Sequence, residues 1–419
     1  MPPAPIPFLK PSLPDWRLVG EELKDAYASG RFHPGKYVER AEAAFRDVLR
    51  VKHALLLSTC ADGLILLAAK VHRDFTTGQR AKDLGRGPPV IAVPAFTFRA
   101  TPQAVWWGKC EVAVVDVLPD GNMDPASLAK ARADVPNLAA VMPVHVFGRT
   151  CPVTPLRKAV PDLPILYDAA HALGTRVNGA PMGALGDAQV FSLNITKAIP
   201  SAGEGGLLVT DDDAIADWIL KARWHGDMPG SLDWKLPGMN AKPTEWQGIV
   251  AFHALQRMNT VHSRRQGVVR AYLNLLECAP AFESRIVVVD GKEERCTCDG
   301  FARKVDGTIT GTLPIEERCK VHTAFWPMQR FAGESIQKDF AVRFATAELR
   351  AAAETRLRAD HIEFKRYFHP VVSQMSDFSG YVVGDTVARE LADTVLCLPV
   401  WIGITEEDQR RVVDAVKGS

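Results

Sequence analysis

Asp168-Ala169-Ala170-His171 follows the apolar run Leu163-Pro164-Ile165-Leu166-Tyr167. Ser192-Leu193-Asn194-Ile195-Thr196-Lys197 follows a second run, Ala188-Gln189-Val190-Phe191, and Gly203-Glu204-Gly205-Gly206 comes after it. Short segments that are apolar at consecutive positions read as strands buried on both faces. A carboxylate and an amine therefore stand at the ends of neighbouring strands. In an open parallel sheet, ligands bind at those carboxyl ends.

Similar runs occur on both sides of this stretch. Strands are expected over His53 to Ser58, Val90 to Val93, Glu111 to Val117, Ala139 to Val146, Pro164 to Tyr167, Ala188 to Ser192 and Gly206 to Thr210, alternating with amphipathic segments. The pattern predicts a large, mostly parallel, seven-stranded sheet covered by helices. Residues 15–50 read as helical with a break at Gly30-Arg31-Phe32-His33-Pro34-Gly35, and Thr244 to Leu276 reads as a helical bridge to a smaller α/β unit. The expected division is a large domain over 1–255 and a small C-terminal domain over 256–419. Asp74 to Gly87 and Asp290 to His322 read as insertions.

The 419 residues are 47% hydrophobic, enough for a substantial core, and 50 basic against 49 acidic residues leave a formal net charge of +1. That balance gives no electrostatic case for nucleic acid or an anionic membrane. No apolar run has the length of a membrane span. The start, Met1 to Pro7, lacks the basic and apolar regions of a signal peptide, so a cytoplasmic protein with eight cysteines kept as thiols is expected.

The pairing of Asp168 with Lys197 is what pyridoxal phosphate (PLP) chemistry requires. The lysine holds the cofactor as a Schiff base, and the carboxylate keeps the pyridine nitrogen protonated. A lysine used this way must be neutral to attack an aldehyde, and burial beside other cations favours that form. The same amine can then act as a general base. Ser58-Thr59-Cys60-Ala61-Asp62-Gly63-Leu64 reads as a strand running into a helix N-terminus, where free amides bind phosphate, and Ser192 can add a hydroxyl. Phe96 or Phe98 can stack on the ring, the other belonging to the core. His171, one turn past Asp168, can contact the ring oxygen or support Asp168. In the second insertion, Cys296, Cys298, Cys319 and His322 are either scattered loop residues or a structural zinc set; the reading carried forward has no metal.

These blocks, with Ile6-Pro7-Phe8, Ser29-Gly30 to Val38, Gly238 to Lys242 with Glu245, and Tyr367-Phe368-His369-Pro370, resemble in order and over nearly the whole chain the PLP-dependent sugar aminotransferases of the DegT/StrS type. The resemblance implies the aspartate-aminotransferase-like fold (PLP fold type I). It implies that Lys197 forms the Schiff base, that Asp168 pairs with the pyridine nitrogen, that His171 contacts the ring oxygen and that Phe98 stacks. It further implies that Cys60, Ala61 and Ser192 hold the phosphate, with Asn240 reaching the phosphate in a partner subunit's site, hence a homodimer with shared active sites. Lys242 is a candidate substrate contact. The implied activity is ping-pong transfer of an amino group from glutamate or glutamine to a keto group of a nucleotide-linked deoxysugar. The histidine form of the carboxylate motif resembles the branch acting on carbon 4 of dTDP-4-keto-6-deoxysugars.

Some positions depart from the family's pattern. Ala61 stands where a hydroxyl residue is common, and Asn194 where a histidine is common. Lys197 separates the chain from the dehydrating subgroup, which has histidine there. Alternatives are a cyclitol ketone or other small ketone as acceptor, or a non-catalytic PLP-binding regulatory protein.

Overall fold

In the computed structural model of the protein, the described residues are 3–78, 87–227, 236–276, 285–289, 292–296, 301–303, 309–312, 325–328, 334–378 and 380–418. Two helices open the fold, α1 (Trp16–Ser29) and α2 (Lys36–Leu49), separated at Gly30, whose φ of 66° is the left-handed conformation glycine adopts without strain. A succession of strands and helices follows: β1 (His53–Leu57), α3 (Cys60–Thr77), β2 (Val90–Pro94), α4 (Ala100–Trp107), β3 (Glu111–Val115), α5 (Pro125–Asp134), β4 (Leu138–Val141), α6 (Val153–Ala159) and β5 (Leu166–Asp168). A two-residue hairpin, β6 (Arg176–Val177) with β7 (Ala180–Pro181), precedes β8 (Ala188–Ser192), β9 (Gly206–Thr210) and α7 (Asp213–Ala222).

The sheet runs β3-β2-β4 and β5-β8-β9-β1, the two halves being joined where Val141 pairs with Ile165 and Val144 with Asp168. All pairings are parallel except those of β9, which is antiparallel to β8 and β1. Alternate side chains feed opposite faces. Leu55 and Leu57 enter one core with Ile91, Val93 and Val190, while Ala54 and Leu56 enter another with Phe191 and Val209. Covering both faces explains why the strands read as unbroken apolar runs.

Three local differences from the sequence expectation have physical causes. The segment expected as a strand from Ala139 to Val146 pairs regularly only to Val141, because Pro143 has no N–H to give; its carbonyl instead accepts from Asp168 N at 2.9 Å. The first residues of the Asp74 to Gly87 insertion are the last turn of α3, with Phe75 buried and Lys70 paired to Asp74 at 2.7 Å; 79–86 lie outside the described residues. A further strand of two residues, Tyr381–Val382, extends the sheet by pairing parallel to β3.

Two helices, α8 (Glu245–Gln256) and α9 (Met258–Leu275), lead to the C-terminal elements. An antiparallel meander comprises β10 (Arg285–Val289), β11 (Lys292–Cys296), β12 (Phe301–Arg303) and β13 (Ile309–Thr312). A three-stranded antiparallel sheet follows, β14 (Phe325–Pro327), β15 (Phe340–Phe344) and β17 (Val395–Leu398), where β16 denotes Tyr381–Val382. Helices α10 (Ala347–Ala359), α11 (Thr386–Thr394) and α12 (Glu406–Lys417) complete the order. Tyr272 of α9, Phe340, Leu357, Leu396 and Val412 share one core, into which Ile6 also packs. Of the possible zinc set, Cys296 ends β11, and Cys298, Cys319 and His322 lie outside the described residues. Among the described residues, Cys60, Cys110, Cys151 and Cys397 are unpaired thiols, and no helix is long and apolar enough to cross a membrane.

Candidate active site

Asp168 is the last residue of β5 and 4% exposed. Its Oδ1 accepts the amide of Ala170 at 3.0 Å and its Oδ2 the hydroxyl of Thr101 at 2.8 Å. Thr101 in turn lies 2.9 Å from Thr97, so a chain of two buried hydroxyls ends on the carboxylate. Each oxygen keeps a second lone pair. Burial raises the pKa of this carboxyl above the ordinary value, against the pull of the Ala170 amide, the Thr101 hydroxyl and Lys197. A carboxylate held so has use for a cationic partner.

Lys197 follows β8 in a short turn closed by its own amide donating to the Asn194 carbonyl at 2.8 Å. Its amine is pushed down to about 8, first by burial and then by the positive charge of Lys338, with Asp339, Cys60 and Asp168 opposing. At neutral pH a useful fraction is therefore the free-base nucleophile.

The turn between β1 and α3 supplies an anion site. Thr59 caps the helix, its hydroxyl accepting from Asp62 N at 3.0 Å. The amides of Cys60 and Ala61, in the first turn, have no carbonyl within the helix to meet. Gly206 of β9 packs directly behind: a Cβ there would stand 2.4 Å from the Thr59 carbonyl oxygen and 2.8 Å from Cys60 N. Ser192 Oγ accepts from Asn194 N at 3.3 Å, which leaves its own hydrogen to donate. Gln247 of α8 ties the arrangement together, donating to Ser58 O at 2.9 Å and Glu204 O at 2.8 Å.

These groups open on one cavity of about 600 Å³ whose wall includes Cys60, Ala61, Phe98, Asp168, His171, Ser192 and Lys197. Phe98 is half exposed on this wall, whereas Phe96 is fully buried, edge-on to Phe147 and Phe368. Asn194, Thr196 and Glu204 make a polar rim, with Asn194 Nδ2 donating to Glu204 at 2.6 Å. Tyr367 and Phe368 add aromatic wall to the same cavity. Asn240 and Lys242 do not line this cavity. They are bonded to each other, Asn240 is exposed, and the Lys242 amine lies 5.1 Å from the centre of the Trp224 ring. Thr101, Gln247, Lys338, Asp339 and Tyr367 were not singled out from the sequence; for Tyr367 the signal was the block that carries it.

The residues fit PLP. A phosphate can meet the α3 amides and Ser192, a protonated ring nitrogen can meet Asp168, and an aldehyde can meet Lys197. A wider surface groove of about 630 Å³ between Leu13, Leu18, Phe252 and Arg257 offers no comparable set.

The family model for DegT/DnrJ/EryC1/StrS aminotransferases matches residues 18–297 and 321–417. The spore coat polysaccharide biosynthesis protein SpsC of Bacillus subtilis is 29% identical over 303 residues, covering 68% of this chain and 73% of that protein. GDP-perosamine synthase of Vibrio cholerae is 28% identical over 281 residues, covering 66% and 72%. Among solved structures, DesI, crystallised in the presence of its TDP-sugar product, superposes with a TM-score of 0.75 at 28% identity, covering 99% of this chain and 92% of that one. The match thus runs through both the sheet that carries Asp168 and Lys197 and the C-terminal elements, and the chain belongs to the DegT/DnrJ/EryC1/StrS family of PLP-dependent sugar aminotransferases.

Proposed function

We propose that the protein moves an amino group from glutamate, or glutamine, to a keto group of a nucleotide-linked deoxysugar in two half-reactions at the Lys197 cavity. The observation that carries this reading is the opening of the Lys197 amine, the Asp168 carboxylate and the α3 N-terminus on one cavity. Bound there, PLP supplies a conjugated electron sink that lets a C–H bond beside nitrogen ionise.

The chain's own residues do the rest. Asp168, with Thr101 and the Ala170 amide behind it, keeps a negative charge against the ring nitrogen. The amides of Cys60 and Ala61 and the Ser192 hydroxyl hold the phosphate. Phe98 covers a ring face. Lys197, as a free amine of depressed basicity, would carry a proton between the substrate carbon and the cofactor carbon, off the donor in one half-reaction and onto the acceptor in the other. Asn194, Thr196 and Glu204 offer hydrogen bonds suited to sugar hydroxyls, and we assign the nucleotide to the open side of the cavity. The His171 form of the carboxylate motif supports carbon 4 as the aminated position.

Homodimerisation belongs to the same proposal. Tyr27, Phe32 and Trp246 form an exposed aromatic group, with ring centres 6.1 Å and 6.5 Å apart in sequence order. Asn240 is free of its own cavity, as a residue serving a partner's site would be. Co-expressed Lys197→Ala and Asn240→Ala chains should then recover activity in hybrid dimers.

The test is visible absorbance of the PLP-loaded protein. Glutamate should shift the bound cofactor's band to that of its amine form, and a nucleotide-linked 4-keto-6-deoxysugar should reverse the shift. Reversal by an inosose alone would reassign the acceptor to cyclitols. No response to glutamate or glutamine would refute the transamination.

A further inference from the structure

Behind His171 lies a set of buried polar groups that the proposed chemistry leaves unused. The loop entering β15 places Lys338 and Asp339, 4% and 0% exposed, deep beside the cavity. Lys338 Nζ donates to Asp339 Oδ1 at 2.8 Å. Asp339 Oδ2 and His171 Nδ1 are buried, neither has a hydrogen-bond partner among the described residues, and they face each other at 3.8 Å.

A gap of that size is too narrow for a bridging water and too wide for a hydrogen bond. A shift of about 1 Å would bring the pair to the usual N–H···O⁻ distance. Both sides are held in place. On the Asp339 side, the buried Arg265 guanidinium donates to the carbonyls of Ile336, Gln337 and Lys338. On the other, the His171 ring lies near-parallel to Phe147 and Phe368, 16° and 23° from their planes. With Nδ1 sealed in, Nε2 is the ring nitrogen left to meet an occupant of the cavity.

We propose that Asp339 and Lys338 are positioning residues of the active site: Asp339 accepts the Nδ1 proton of His171 and fixes the tautomer whose Nε2 lone pair faces the cavity, while Lys338 balances Asp339 so that the ring stays neutral. The proposal rests on the transaminase reading above and deepens it. Burial, with the charges of Lys197 and Lys338, disfavours a second proton on His171. The histidine is then an acceptor. A ligand group opposite Nε2 must bring the proton itself, as a hydroxyl rather than an oxyanion.

The test is NMR of protein labelled with ¹⁵N in its histidine rings, PLP-loaded and PLP-free, with the His171 signals identified by their loss in His171→Gln. The expected result at pH 7 is Nδ1 protonated and Nε2 bare in both forms. Asp339→Leu should release the ring to a mixture of tautomers, Asp339→Asn should restore the Nδ1–H form through its carbonyl, and Lys338→Met should add a second proton. An Nε2–H ring or a doubly protonated ring in the wild type would overturn the proposal, with no variant needed. An Nδ1–H signature unchanged in Asp339→Leu would overturn the role of Asp339, and a ring still neutral in Lys338→Met that of Lys338. Because the readout in PLP-free protein needs neither cofactor nor turnover, failure of amino transfer would be seen separately.

Discussion

Replacing Lys197 by methionine should make the PLP-free protein more stable at neutral pH, by an amount that shrinks as pH rises. The amine ionises at about 8 where an exposed lysine has 10.5. At about 1.4 kcal/mol for each pH unit of that difference, keeping Lys197 in the fold costs up to about 3 kcal/mol at pH 7. The figure is a ceiling, because the amine faces a cavity open to water. The folded protein holds this proton less tightly than the unfolded chain, so unfolding takes up a proton between pH 8 and 10.5, and wild-type stability rises through that window. Methionine fills similar space and carries no proton, so the variant's lead should be largest at pH 7 and narrow with pH, the part due to the charge falling below about 1 kcal/mol by pH 10. Urea unfolding of both proteins at one protein concentration, in steps from pH 7 to 10, reads the difference while cancelling other titrations. A gap that is flat or widens with pH would refute the claim that Lys197 is held against its charge.

Asp168→Asn should retain the cofactor yet lower kcat about a hundredfold, as expected when a hydrogen bond to a charge, worth about 3 kcal/mol, is lost; saturation kinetics with glutamate would show an undiminished kcat if Asp168 has no such role. Thr101→Val removes the hydroxyl 2.8 Å from Asp168 Oδ2. The carboxylate is then harder to keep ionised, so the acid limb of the kcat/KM profile should move to higher pH, and an unmoved limb would contradict the hydroxyl chain. Gly206→Ala puts a Cβ against Thr59 O and Cys60 N, and should weaken PLP binding about tenfold or more by displacing the α3 amides, as a titration of PLP-free protein would measure. Glu245→Gln should destabilise the fold by about 1–3 kcal/mol in urea unfolding, since this buried carboxylate accepts the amides of Gly35, Tyr37 and Val38 at 2.9, 3.1 and 3.0 Å and so caps α2 from afar.

The large sheet was legible because strands such as β1 and β8 bury alternate residues in two different cores and must be apolar throughout. Asp168 breaks that pattern at the end of β5 and Lys197 follows the apolar run of β8 in the next turn, which is why they stood out. Thr101 was hidden because a threonine in a helix carries no signal of what its hydroxyl meets; only the crossing of α4 over the end of β5 brings it to Asp168. Lys338-Asp339 carries no mark of burial in the sequence, yet the fold buries the pair beside Arg265 and His171, which are distant in the chain. Tyr381–Val382 is too short for any periodicity to mark as a strand, and its pairing with β3 depends on how the C-terminal segment returns to the sheet edge. Where the sequence suggested an unbroken strand through Val146, the missing N–H of Pro143 interrupts the ladder, which resumes only in the single pairing of Val144 with Asp168.

The central claim is that Lys197, in the cavity with Asp168 and the α3 N-terminus, is the residue that carries the cofactor. Borohydride reduction of the PLP-loaded protein, followed by peptide mass mapping, tests it directly. The account predicts one phosphopyridoxyl group, fixed to Lys197 and absent in Lys197→Ala. Attachment to another lysine, or no attachment in protein that binds PLP, would contradict it.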